Sequence, residues 1–261
     1  QDPVEYTMLL GDQEVGMNAY LRQRLELRYE GVINCSLCDR KTNKSFSQGY
    51  CYPCFRRLAQ CDSCIVSPEK CHYAAGTCRE PEWGEQHCMI DHIVYLANTS
   101  GLKVGITRGT QVPTRWMDQG ATQARPVFRV DTRLHSGLVE TVFSNHIADK
   151  TNWRAMLKGE AEAVDLEAAR GRLMADCAAE LDSLWQAHGL QAITVLEDEP
   201  ETSIRYPVLE YPQKVSSFNL DKNPTAGGTL LGIKGQYLIF DAGVINMRKY
   251  GGYRLSLHVE A

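Results

Sequence analysis

An α+β fold is predicted for this 261-residue chain, on three observations. Nine of the ten cysteines crowd between Cys35 and Cys88. Short β-branched runs broken by turn residues follow them, with helical patterns interleaved. Both ends of the chain are rich in alternating apolar residues and glycine. The expected architecture is a zinc-knuckle module, then a small mixed sheet with helices, plus a β-rich domain built from the two termini. The expected boundaries are 1–34 for N-terminal strands, 35–90 for the cysteine module and 91–158 for the mixed sheet. An acidic amphipathic helix is expected over 159–189, and C-terminal strands over 190–261.

Composition narrows the class. The chain is 43% hydrophobic and 23% charged, with a formal net charge of −4. No apolar run reaches membrane-span length, and the first twenty residues lack a signal-peptide layout, so a cytoplasmic location without a membrane partner is expected. The chain opens on Gln1, so a residue or two is expected to be missing in front. Charge is unevenly spread: residues 35–158 hold 16 Lys/Arg against 11 Asp/Glu, whereas 159–201 hold 2 against 11. The basic middle permits a phosphate-bearing partner. Oligomeric state is not legible.

Residues 1–34 alternate ("YTMLLG", "RLELRYEGVINC") and read as two or three strands running into Cys35. The pattern Cys35-x2-Cys38-x12-Cys51-x2-Cys54 follows. Each C-x2-C folds as a knuckle offering two thiolates to one ion, and two knuckles complete a tetrahedron; a cytosolic chain uses such clusters for metal rather than disulfides. A structural zinc is expected there. The second set holds Cys61, Cys64, Cys71, Cys78 and Cys88, with His72, His87 and His92 nearby. A second zinc would take four of those five cysteines, with Cys61–Cys64 as the expected knuckle pair. An iron–sulfur cluster is the alternative, and zinc is favoured by analogy with the first set. His72 and His87 are expected to be supporting residues. Closed thiolate shells leave no open position for catalysis, so chemistry is expected elsewhere.

"IVYLA" and "LKVGIT", separated by "NTSG", predict a hairpin. "TRWMDQGA" predicts a helix with Thr114 near its N-cap, and "ARPVFRVDTRL" a third strand. "SGLVETVFSNHIADK" predicts a helix opening at Ser136 or Gly137, and "KTNWRAML" begins a further short one. This order, with Ile93–Tyr95 and Lys103–Gly105 in the signature positions, resembles the GIY-YIG nuclease domain over roughly residues 90–158. The resemblance implies a set of roles. Arg115 stands where the family has its helix arginine, Glu140 where it has its metal-binding glutamate, and Asn152 where a late asparagine is common. Tyr95 and Lys103 would surround the attacking water, Arg115 would bind the phosphate, and Glu140 would hold a Mg or Mn ion. Two departures stand out: Ile93 replaces the first glycine of the signature, and Lys103 replaces its second tyrosine. A lysine serves near the water only if burial or neighbouring cations lower its pKa.

Residues 159–188 show Leu166, Leu173, Cys177, Leu181 and Leu184 at helical steps, predicting one acidic helix with Cys177 buried and Gly189 as its stop. "EDEPE" (197–201) reads as an acidic loop. Residues 190–261 ("QAITVL", "GGTLLGIKGQYLIFD", "GVINMRKYGGYRLSLHV") read as strands expected to pair with the N-terminal ones. Within them Lys234 lies between two glycines that tight turns explain. Arg248, Lys249, Tyr250 and Tyr253 form either a basic-aromatic face or an ordinary hairpin.

Two functional classes follow. The first is a nucleic-acid-processing enzyme, a GIY-YIG-like endonuclease hydrolysing a phosphodiester with a divalent metal on a zinc-stabilised platform. The alternative is a non-catalytic zinc-containing module that binds RNA or DNA in ribonucleoprotein assembly.

Overall fold

The computed structural model describes residues 2–260. Its strands are β1 (Thr7–Leu10), β2 (Gln13–Gly16), β3 (Arg24–Asn34), β4 (Lys41–Thr42), β5 (His92–Asn98), β6 (Leu102–Arg108) and β7 (Gln123–Val130). They continue with β8 (Ile193–Val195), β9 (Thr202–Ser203), β10 (Thr225–Lys234), β11 (Tyr237–Phe240), β12 (Gly243–Asn246) and β13 (Tyr253–Glu260). The helices are α1 (Tyr52–Arg57), α2 (Pro81–His87), α3 (Thr114–Asp118), α4 (Arg133–Ser144), α5 (Trp153–Met156), α6 (Leu166–Asp176) and α7 (Ala178–His188). The fold is mixed α+β. Among the described residues, no helix is long and apolar enough to cross a membrane.

The chain divides into two compact units. One takes everything up to Arg57, Leu157–Gly159 and everything from Ile204 on; the other takes Leu58–Met156 and Glu160–Ser203. In the first unit, β3 runs between β10 and β13, antiparallel to both, in the order β12-β11-β10-β3-β13, with β4 also on β3. Alternation along β3 turns Leu25 and Leu27 inward, where they pack with Leu230, Ile233, Phe240 and Ile245. "IKGQY" is the β10–β11 hairpin turn, with Gly235 at φ 61°, a left-handed conformation that glycine adopts without strain. Lys234 is fully buried; its Nζ donates to Gly159 O at 3.0 Å between the rings of Tyr206 and Tyr211. It is therefore a core cation rather than a loop ligand. Tyr250 is likewise buried, while Tyr253 Oη and Lys249 Nζ both engage Asp221.

The second unit carries the sheet β6-β5-β7-β8, with β9 also on β7. Its core joins Val94, Leu96 and Val104 from the hairpin, Phe128 and Val130 from β7, and Val139 and Phe143 from α4. Fully burying each such side chain contributes about 1.5–3 kcal/mol. Phe128 meets Phe143 edge to face, with ring centroids 5.7 Å apart.

The cysteine segment 35–90 is shared between the two units, Cys54 falling in the first and Cys61 in the second. Three expectations need correction. "DTRL" does not continue the third strand. Thr132 Oγ1 accepts from His135 N at 3.2 Å and caps α4, so the helix opens at Arg133 rather than at Ser136. The acidic helix is two helices. Asp165 caps the first, and Cys177, at φ −103° and ψ 11°, kinks the chain between them. Cys177 N still donates to Leu173 O, and Cys177 O still accepts from Leu181 N, so one buried face runs through the kink. Finally, "QAITVL" does not join the C-terminal strands. Ile193–Val195 pair with Phe128–Val130, because Ile193 belongs to the second unit's core.

Candidate functional site

The first cysteine set closes where β3 ends. Cys35 N donates to Arg40 O and Asp39 N to Cys35 O, both at 2.9 Å, which turns the chain so that Cys35 and Cys38 face the same way. Cys51 and Cys54 flank the start of α1, where Phe55 N donates to Cys51 O. All four sulfurs lie within 4.8 Å of one another, and Cys38 Sγ stands 3.7 Å from Cys51 Sγ. A tetrahedron with metal–sulfur bonds of ~2.3 Å has edges of ~3.8 Å. The site therefore fits a zinc knuckle. Burial opposes ionisation of Cys35, but the backbone N–H groups of Cys38, Cys51 and Leu37 outweigh it and bring its pKa down to about 6. Cys54 is pushed up to about 12 by burial and by bonding to the neighbouring sulfurs.

In the second set, Cys64, Cys71, Cys78 and Cys88 line one cavity with Asp62 and His72. Cys61 lies in the turn before it, with its N–H on Leu58 O at 3.2 Å. The expected Cys61–Cys64 pair thus does not converge on the cavity. Asp62, Cys64 and His72 present ligand atoms within 4.8 Å of one another. His87 stacks on Trp83, with centroids 4.2 Å apart, and its Nδ1 meets Trp83 O. His92 is buried at the start of β5, and burial brings its pKa down to about 4.

All five residues singled out by the family resemblance lie in the second unit, and four of them, Tyr95, Lys103, Arg115 and Glu140, come close enough to act on one another. Cross-strand register sets Tyr95 opposite Gly105 and Lys103 opposite Ala97, so Tyr95 and Lys103 share a sheet face. The glycine is required: a Cβ at residue 105 would sit 2.7 Å from Tyr95 Oη and 2.8 Å from Cζ. Tyr95 is fully buried against Trp116, and its Oη donates to Gln119 Oε1 at 3.0 Å. Burial raises its pKa above the ordinary tyrosine value, opposed by the Arg115 charge and reinforced by Glu140. Lys103 is only 4% exposed. Burial, helped by Arg115 and opposed by Glu140 and Asp149, brings it down to about 8. Glu140 is half-buried on α4. Burial pushes its carboxyl up to about 7, with Lys103 and Arg133 opposing and Asp149 and Glu69 reinforcing. A carboxyl displaced upward beside an amine displaced downward is a pattern that functional clefts concentrate.

Asn152 plays a different part. It is exposed, and its Oδ1 accepts from Ala155 N at 3.2 Å, capping α5. Several neighbours of the site went unforeseen. Gln119 was findable, because it lies four residues after Arg115 and so on the same helix face. Arg133, Asp149 and Glu69 carry no local signal; they reach the site through the packing of α4 and the loops around it.

A family model described as "Protein of unknown function (DUF2797)" matches residues 22–255. The chain belongs to that family. The DUF2797 match spans both units, both cysteine sets and every candidate residue from Tyr95 to Asn152. Comparison with curated proteins and with solved structures finds no match.

Proposed function

We propose that this protein hydrolyses a phosphodiester bond in a nucleic acid, using Glu140, Arg115, Lys103 and Tyr95, with zinc stabilising the unit that holds Cys35, Cys38, Cys51 and Cys54. The observation that carries the reading is the convergence of a carboxyl with pKa about 7 and an amine with pKa about 8 around one guanidinium and one phenol. Cleavage needs a proton acceptor for water, a donor fork for the phosphate oxygens and charge neutralisation as the leaving oxygen departs. Lys103 is partly neutral near pH 8, so it can accept a proton. Arg115 supplies the fork. Glu140 would hold a Mg or Mn ion, and the mutual reinforcement of Glu140, Asp149 and Glu69 is what a bound cation would relieve. Such an ion, when bound, polarises the phosphate. Tyr95 orients the site through Gln119.

One observation favours a second reading, a binding module that does not cut. Tyr95 is fully buried and Lys103 nearly so, which leaves water little approach to either. Recovery of cross-linked nucleic acid from cells, comparing wild type with Glu140→Gln, separates the two. Intact species enriched only on the variant are expected for the nuclease. Identical intact species on both proteins support the binding module, and nothing on either removes nucleic acid as the partner.

A further inference from the structure

The chain from Cys61 to Cys88 is built of single turns, Ala59–Cys61, Ser63–Ile65 and Pro68–Lys70, followed by the two-turn helix α2. Few of its side chains are buried and apolar, so it lacks the core that would hold such turns together. What its turns enclose is a cavity of about 20 Å³ whose walls include Cys64, Cys71, Cys78 and Cys88. That volume suits a single ion-sized occupant. We infer that these four cysteines form a second metal centre, a four-thiolate zinc site with Arg133 as its counter-charge.

Arg133 supplies the independent observation. Its backbone N–H donates to Cys88 O at 2.7 Å, and its Nη2 donates to Ile65 O, so it is anchored to both sides of the sulfur cluster. Its Nε is buried and has no hydrogen-bond partner among the described residues. A buried guanidinium is stabilised by nearby negative charge; Glu140 supplies part of it, and thiolates at Cys88 and Cys64 would supply more. Four thiolates around a divalent ion carry net negative charge, beside the cation that neutralises part of it.

The rival shell is Asp62, Cys64 and His72, whose ligand atoms lie within 4.8 Å of one another, whereas the four sulfurs are not all within that distance and would have to draw in around the ion. Its carboxylate is already engaged: Asp62 Oδ1 accepts from Ser63 N at 2.6 Å, and Oδ2 pairs with Arg79 Nε at 2.7 Å. His72 Nδ1 meets Thr77 Oγ1 at 2.8 Å, and its Nε2 faces Asp62 Oδ2 at 3.5 Å. Asp62, His72 and Arg79 thus support one another and steady the turn that carries Cys64. The ligand spacing becomes C-x6-C-x6-C-x9-C, which is why the C-x2-C pair at Cys61 misleads.

The centre also braces α4. The Pro68–Lys70 turn, lying in sequence between Cys64 and Cys71, packs on the helix at Gly137, where a Cβ would collide with Glu69 N and the Pro68 backbone. Glu140 is one turn further along the same helix face. This holds whether or not Glu140 takes part in cleavage.

Elemental analysis of the purified full chain tests the assignment. Wild type should carry about two zinc ions, and Cys71→Ser and Cys78→Ser about one, while Cys61→Ser and His72→Asn keep both. Two zinc ions in Cys71→Ser and Cys78→Ser, loss in Cys61→Ser, or a single zinc in wild type would overturn it. Arg133→Leu should weaken zinc retention against a competing chelator by roughly 10- to 100-fold, with partial rescue in Arg133→Lys. Should the serine variants not fold, zinc-edge X-ray absorption on wild type replaces them. All-sulfur coordination is expected, and nitrogen or oxygen in the averaged shell refutes the ligand set. A visible absorption band with iron in place of the second zinc refutes the metal.

Discussion

Replacing Glu140 by glutamine should make the protein more stable at pH 8 and change it little at pH 5. The carboxyl has its folded pKa raised from 4.5 to about 7, chiefly by burial. A raised folded pKa favours the protonated form, so its stabilising contribution is present below the unfolded pKa and disappears as pH rises through 7. Taking about 1.4 kcal/mol per pKa unit, the ionised carboxyl costs the folded state roughly 3 kcal/mol at pH 8 and under about 1 kcal/mol at pH 5. Wild type should therefore lose about 2–3 kcal/mol more than Glu140→Gln across that interval. Lys103 works in the opposite sense. Its folded pKa is lowered to about 8, so its penalty builds as pH falls from the ordinary lysine range to that value and changes little between pH 7 and pH 5; Glu140 opposes the shift, so the penalty is somewhat larger in Glu140→Gln at every pH in that interval. Urea unfolding of zinc-loaded wild type and variant at pH 5, 6, 7 and 8 measures the difference directly. Parallel pH profiles, or a variant less stable than wild type at pH 8, would refute the buried-carboxyl argument. A stabilised variant would also show that any activity lost with Glu140→Gln is not lost through unfolding.

Two further outcomes are expected. Gly105→Ala forces a methyl into the Tyr95 ring and should lower stability by about 1–3 kcal/mol, seen as a drop in thermal midpoint; an unchanged midpoint means the ring moves aside freely. Removing metal with a strong chelator should release the knuckle that joins the end of β3 to α1, so hydrogen exchange should rise across residues 35–57 and recover on adding zinc. Unchanged exchange there would mean that backbone hydrogen bonds alone hold the turn.

Local signals carried much of the fold. The hairpin Ile93–Thr107 was legible because β-branched residues flank a glycine-ended turn. The Cys35–Cys54 set was legible because two C-x2-C pairs at hairpin spacing bring four thiols to one point as soon as each knuckle turns. Their information lies within a few residues, as does that of Leu166, Leu173, Cys177 and Leu181, whose helical steps predicted one buried face even across the kink at Cys177. The opening of α4 was missed because a single threonine cap outweighed the extended pattern running through "VDTRL".

By itself the sequence determined the hairpin, most element types and the first thiolate set, and it singled out Tyr95, Lys103, Arg115 and Glu140 as candidates. Tertiary structure alone decided three things. It allotted Ile193–Val195 to the sheet that contains Phe128, since a three-residue strand has no preference until a partner edge and a core are offered. It drew Cys71, Cys78 and Cys88 to one cavity with Cys64 and left Cys61 outside, because irregular spacings converge only after the turns between them have packed. It also set the two opposed pKa shifts at Glu140 and Lys103, which arise from burial and from charges brought in by distant segments and so have no counterpart in the linear chain.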